Sequence, residues 1–155
     1  MTVQSSPDPV IAYRQRLMAA CTAAKTAELL DALADFGPLP PYRDLRAPEC
    51  GLVMLRGKIG GDGAAFNVGE ATVVRAAVVL GSGEVGHAYQ LGRDTEKARV
   101  SALFDAIAQK PNSRHRLTDL VIRPVEERVE AQRRVNREQV ASTRVDFFTM
   151  VRGED

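Results

Sequence analysis

Two histidines, two cysteines and a scatter of arginines are the residues of this 155-residue chain whose types could do chemistry. His87 could serve as a general base only with a partner to orient it and a pocket beside it, and its neighbours in sequence supply neither. It reads as a packed or half-exposed strand histidine. His115 stands between Arg114 and Arg116 and reads as a solvent-facing loop residue. Cys21 and Cys50 lack metal-ligand spacing, and no base is placed to activate Cys50. Reduced thiols in a cytoplasmic protein are the expectation, with no metal site. Arg75, Arg93, Arg144 and Arg152 carry forked guanidinium groups that match phosphoryl oxygens. Ion pairing competes for them, for instance Arg93 with Asp94 or Arg144 with Asp146. Gly60-Gly61-Asp62-Gly63 is glycine-rich, but no Gly-Lys-Ser/Thr follows. It reads as a hairpin turn and not as a phosphate-binding loop. No catalytic residue emerges.

The elements that must position these groups centre on a β stretch from Gly51 to Gly92. Its first run, Leu52 to Ile59, places Val53, Leu55, Gly57 and Ile59 on one face, and its polar second face suggests burial mainly on one side. The second run, Ala64 to Leu80, contains Gly69, where a bend or bulge is expected. Gly81-Ser82-Gly83 turns the chain into a third run, Glu84 to Leu91. Turns this short join antiparallel neighbours, so the sheet is a meander.

Upstream, Asp8-Pro9 supplies an N-cap and a first-turn proline for a helix whose stripe is Val10, Tyr13, Leu17 and Cys21. A second helix is expected to end at Phe36, before Gly37-Pro38. Tyr42 to Arg46 reads as a short fourth strand, ended by a turn at Ala47-Pro48-Glu49-Cys50. Downstream, Asp94 or Thr95 caps a helix that buries Val100, Leu103, Phe104 and Ile107. Pro111-Asn112-Ser113 is expected to break the chain before a short helix near Leu117 to Val121, and Pro124 to open another, about Val125 to Ser142. That last helix is rich in Arg, Glu and Gln, with a narrow valine stripe and a favourable Glu130–Arg134 pair. The tail then holds two of the five phenylalanines, Phe147 and Phe148, with Met150 and Val151. Such side chains need burial, on this domain or on another chain.

The predicted fold is therefore α+β. One domain over residues 1–155 holds an antiparallel meander of about four strands between N-terminal and C-terminal helices. Residues 1–8 are expected to be flexible and 143–155 an extended apolar tail. A chain of this length can bury roughly 70% of its unfolded surface. With 21 Lys plus Arg against 20 Asp plus Glu, the charge balance offers no argument for nucleic acid or for an acidic membrane. No run of 18 apolar residues suggests a membrane span, and residues 1–10 lack the pattern of a signal peptide.

Function enters through the tail. Ser142-Thr143-Arg144-Val145-Asp146-Phe147-Phe148-Thr149-Met150-Val151-Arg152-Gly153 resembles the C-terminal signature of the PhnG family, the G subunit of the bacterial carbon–phosphorus lyase core complex. The β stretch agrees: Gly60-Gly61, Gly63, Phe66, Gly69, Ala71-Thr72 and Arg75-Ala76-Ala77-Val78 are similar to that family's glycine and G-[DE]-A-T-x-x-R-A-A-V patterns, and Gly92-Arg93-Asp94 to its G-R-D. Glu70 keeps the carboxylate of the pattern, and an extra Thr143 lengthens the linker into the tail.

The resemblance implies a subunit that acts with companion H, I and L proteins to displace adenine from ATP with methylphosphonate. The product is ribose 1-methylphosphonate 5-triphosphate. It further implies that the glycosidic chemistry belongs to the I subunit and the later radical cleavage to the J subunit. On this reading the chain has no cofactor of its own, and MgATP is a substrate of the complex. Its role would be accessory: bracing the I subunit, with Arg144, Asp146, Phe147, Phe148, Met150 and Arg152 as interface candidates. The alternative is that Arg75 or Arg93 supplies ligands to MgATP or phosphonate at a shared interface.

Overall fold

The computed structural model describes residues 8–58 and 63–142. The order is α1 (Pro9–Ala23), α2 (Thr26–Phe36), β1 (Tyr42–Gly57), β2 (Phe66–Leu80), β3 (Val85–Leu91), α3 (Thr95–Ala108), α4 (Pro111–Leu117), a π-helical turn (Thr118–Ile122) and α5 (Arg123–Ser142). This is the expected α+β architecture.

The helix starts follow from their capping residues. The Asp8 carboxylate accepts the Val10 N–H at 2.8 Å, and Pro9 takes the first helical position. Gly37 ends α2 at φ +80°, a conformation that costs glycine little. Asp94 caps α3 by accepting the Lys97 N–H at 2.9 Å, and it also accepts the Thr26 hydroxyl, which ties the start of α2 to the start of α3.

Helix α3 is the centre of the molecule. Val100, Leu103, Phe104 and Ile107 are buried as expected, and so are Ala98, Ser101, Ala102, Asp105, Ala106 and Ala108. The helix lies on β2 and β3 with one side and meets α1, α2 and α4 with the other. The sheet contributes the even-numbered residues Val74, Ala76, Val78, Leu80 and Ala88 to this core. Gly86 is where the two layers touch: a Cβ there would stand 2.0 Å from the Ala102 carbonyl oxygen and 2.4 Å from the Ala106 nitrogen.

A polar knot locks the same layers. Asp105, nearly fully buried, receives both Arg14 Nε and a terminal Arg14 nitrogen at 2.8 Å, and the backbone N–H of His87 at 2.9 Å. One carboxylate thus joins α1, α3 and β3. The pairing with Asp105 also holds the Arg14 guanidinium above its ordinary pKa.

The sheet has three strands in the order β1-β2-β3, all antiparallel. The expected fourth strand, Tyr42 to Arg46, is the first part of β1. No turn intervenes at Ala47-Pro48; the pairing with β2 shifts between Asp44 and Arg46 and again between Arg46 and Glu49, and then continues. Proline fits because β1 is an edge strand, where its missing N–H need not enter a ladder. The bulge expected at Gly69 falls beside it: Leu55 pairs with Gly69 and Arg56 with Asn67, which leaves Val68 as the extra residue.

Two expectations about the C-terminal helices are corrected. Pro111 opens α4 at its first turn instead of breaking the chain, so His115 is helical and not in a loop. Pro124 stands at the start of α5 as expected, and the π turn before it joins the helices directly, with the Arg123 N–H donating to the Thr118 carbonyl at a five-residue spacing. One wide π turn gives room for a proline ring that would crowd a carbonyl in a tight α-helix. Glu130 pairs with Arg137 at 2.7 Å and not with Arg134.

Candidate functional site

The first run was expected to bury one face. It does not. Leu52 is 63% exposed, Met54 54% and Leu55 45%. The reason is geometric. β3 pairs with β2 only from Val73 to Val79, and beyond it Gly92, at φ +108°, turns the chain into α3. Past Gly51 and Val73, β1 and β2 continue together with no third strand or helix over them among the described residues. They form a two-stranded arm of Leu52–Gly57 paired with Phe66–Thr72. On β2 the arm exposes Phe66 and Val68, 42% and 61% open. Gly57 lets the strands close up, since a Cβ there would come within 2.7 Å of Val68 Cγ2.

The sheet face opposite α3 is also uncovered. Arg46, Arg75, His87 and Tyr89 stand on it with Ala77 and Leu45 around an open groove. His87 lies on a strand as expected but is exposed where a packed or half-exposed residue was anticipated, with no side-chain partner among the described residues. Arg75 is held by Glu49, Nε to Oε1 2.9 Å, and Arg46 reaches the same oxygen at 2.7 Å. The two cations therefore share one carboxylate.

Arg93 behaves differently. Its expected pair with Asp94 does not form, because that carboxylate is occupied by the α3 cap and the Thr26 hydroxyl. The Arg93 carbonyl accepts the Cys50 thiol at 3.7 Å, while its guanidinium is exposed with no ion-pair partner among the described residues. Arg93 does not line the groove that holds Arg75, so the two candidates do not converge.

The remaining groups are explained without a site. His115 is 90% exposed, with Nδ1 3.0 Å from an Asp119 oxygen that shares its carboxylate with Arg123. Burial pushes the Cys21 thiol up to about 12. Among the described residues no cluster of histidine, cysteine and carboxylate could hold a metal ion, and no helix is long and apolar enough to cross a membrane. Arg144, Asp146, Phe147, Phe148, Met150 and Arg152 lie outside the described residues.

Sequence reasoning missed the arm. The alternation of Val53, Leu55 and Gly57 was read as a buried face, and the signal that could have corrected it is length. β1 and β2, at 16 and 15 residues, outrun the 7 residues of β3 by about a strand's length.

Comparison with known proteins adds a lineage to this geometry. Residues 12–153 match the family described as "Phosphonate metabolism protein PhnG". A protein of Rhizobium meliloti (strain 1021), named "Alpha-D-ribose 1-methylphosphonate 5-triphosphate synthase subunit PhnG", is 47% identical over 156 residues. The match covers 98% of this chain and 97% of that relative.

Proposed function

Because the chain belongs to the PhnG family, we propose that it is an accessory subunit of the assembly that transfers ribose 5-triphosphate from ATP to methylphosphonate and releases adenine. The observation that carries this reading is the near-complete, 47% identical match to a relative named as a subunit of that synthase. In the reaction a phosphonate oxygen bonds to C1′ as the bond from C1′ to adenine breaks. Such a step calls for an acid near the base and cations at the triphosphate. The I subunit supplies the glycosidic chemistry in this proposal, and the present chain braces it. The tail after Ser142, with Phe147, Phe148 and Met150, is one anchor. The H, J and L proteins are the further partners, and the setting is the cytoplasm.

Two features of the fold support a bracing role. Arg75, the better placed of the two arginine candidates, is tied to Glu49. The arm and the open sheet face present apolar side chains of a kind found at subunit contacts.

The test is co-expression with the cognate H, I and L proteins, each omitted in turn. Adenine release and the ribose-phosphonate product are measured from ATP and methylphosphonate. Omission of this chain is expected to abolish both products and the complex on a sizing column. Full activity without it would overturn the reading.

A second reading is favoured by one observation, the unpaired guanidinium of Arg93. In that reading Arg93 meets a phosphoryl or phosphonate oxygen at a shared interface. Arg93→Ala would then raise the substrate constant in a complex that still assembles, whereas unchanged kinetics would exclude it.

A further inference from the structure

The two-stranded arm presents apolar side chains on both of its faces. Leu52 and Met54 share one face with Glu70, which pairs with Met54 across the strands. Val53 and Leu55 lie on the other, and Val68 stands over Gly57 close to it. Both backbone edges of the arm also lack a strand partner among the described residues, β1 because it is the edge strand and β2 because β3 ends opposite Val73. An isolated two-stranded ribbon is at best marginally stable in water, and an open apolar edge invites pairing. A flat contact would cover only one of the two faces.

The charges at the arm narrow the choice of occupant. Arg56 and Lys58 are exposed and have no carboxylate partner among the described residues; Arg56 only approaches the Ala65 carbonyl at 3.5 Å. Among the described residues Arg14, Arg16, Arg46, Arg75, Arg99 and Arg128 are ion-paired, and Arg56 is not. A lipid surface is disfavoured. Glu70 would enter hydrocarbon with the apolar residues, and the two open edges would find no hydrogen-bond partners there. A second copy is disfavoured as well. The apolar groove between α1 and α5, floored by Ala19, Ala23 and Val129, carries Glu126 and Glu130 beside Arg16 and Arg133, but Glu126 is already paired with Arg16 and Glu130 with Arg137, so neither carboxylate is free to meet Arg56 and Lys58.

We infer that the arm inserts between two walls of a different protein subunit, into an apolar cleft with carboxylates at its mouth that meet Arg56 and Lys58, and that the free β2 edge from Phe66 to Ala71 takes up a strand of that subunit. Strand addition supplies the missing backbone partners, while the two walls cover the two apolar faces. The inference rests on the proposed function for the existence of such a partner, but its own observations are the arm's open faces and edges and two cations without a carboxylate partner among the described residues.

The experiment uses the full chain and the purified H, I, J and L proteins. Association of the unaltered chain is measured with each by sedimentation and by titration. Two double variants follow. Leu52→Ser with Leu55→Ser alters both faces, and Arg56→Glu with Lys58→Glu alters the charge without touching the apolar surface. The apolar variant is expected to lose about 30-fold or more in affinity for one of these subunits, and the charge variant about 10-fold, with salt weakening the unaltered pair. Hydrogen exchange on the unaltered chain reads the edge directly, with amides of residues 66–71 gaining protection on binding. That measurement stands if the apolar variant fails to fold.

Failure of the unaltered chain to bind any of the four proteins would overturn the proposed function and the arm's partner with it. Binding that is unchanged in both variants, with no protection at 66–71, would overturn the arm inference alone. Loss of self-association instead, or binding of the chain to anionic phospholipid vesicles through the arm, would also overturn it.

Discussion

Asp105 joins three elements, α1, α3 and β3, through one side chain. Its two oxygens receive the Arg14 fork and the His87 N–H, and it is almost fully buried. Asp105→Ala leaves those donors without an acceptor, which is expected to cost about 3–5 kcal/mol. Thermal unfolding checks it, with a fall of roughly 2–4 °C for each kcal/mol in a chain of this size. Nearby, Cys21 is buried with its thiol pushed up to about 12, so it should resist alkylation at pH 8 while exposed Cys50 reacts. Mass spectrometry after iodoacetamide should find one adduct on Cys50, and a second only once denaturant is added. The Asp94 carboxyl is held below its usual range, first by the Thr26 hydroxyl and then by the Lys97 N–H. Its folded pKa is therefore below its unfolded one. The stabilisation is complete above about pH 4 and is lost as pH falls through the folded value. Asp94→Asn should flatten this acid limb in denaturation measured from pH 6 to pH 2.

At the scale of elements, the contact between β3 and α3 is backbone against backbone. Gly86→Ala would drive a methyl into the Ala102 carbonyl and the Ala106 nitrogen, neither of which can rotate away. The expected loss is about 3 kcal/mol or more, read as a lowered urea midpoint. What the sequence made legible at this scale had local causes. Asp8-Pro9, Gly37 and Asp94 each set a boundary through their own caps or dihedrals, and each was foreseen. The misjudged places depend on what lies across from a residue. Pro48 looked like a turn because the edge position that tolerates it is decided by β2. The π turn before Pro124 was not foreseen because it leaves no local signature. Leu55 looked like core because alternation records a face but not whether anything covers it. Of the site candidates, the Arg75 ion pair was anticipated in kind, but its partner Glu49 could not be named before the strand register was known.

The whole molecule is a compact helical half with an arm extended from its sheet. The buried side chains gather around α3, and the exposed large apolar ones cluster on β1, β2 and β3. This separation lets the two interface proposals be tested independently of folding. Removal of residues 143–155 is expected to abolish co-purification with the I subunit and to leave the circular dichroism of the remaining chain nearly unchanged. An unfolded truncation would place the tail in this domain's own core.

The shifts in the β1–β2 ladder set a rule of parity. Between the pairs Asp44–Val78 and Glu49–Arg75, β1 spends five steps where β2 spends three, two residues more than the ladder needs. Side chains alternate between faces at every step, so an even surplus leaves β1 in phase with its partner beyond the shift. An odd surplus needs a bulge to restore the phase, as the single extra residue Val68 does further along the ladder. Single-residue changes in length between Leu45 and Pro48 should therefore cost more stability than changes by two, read in the urea midpoint of each variant.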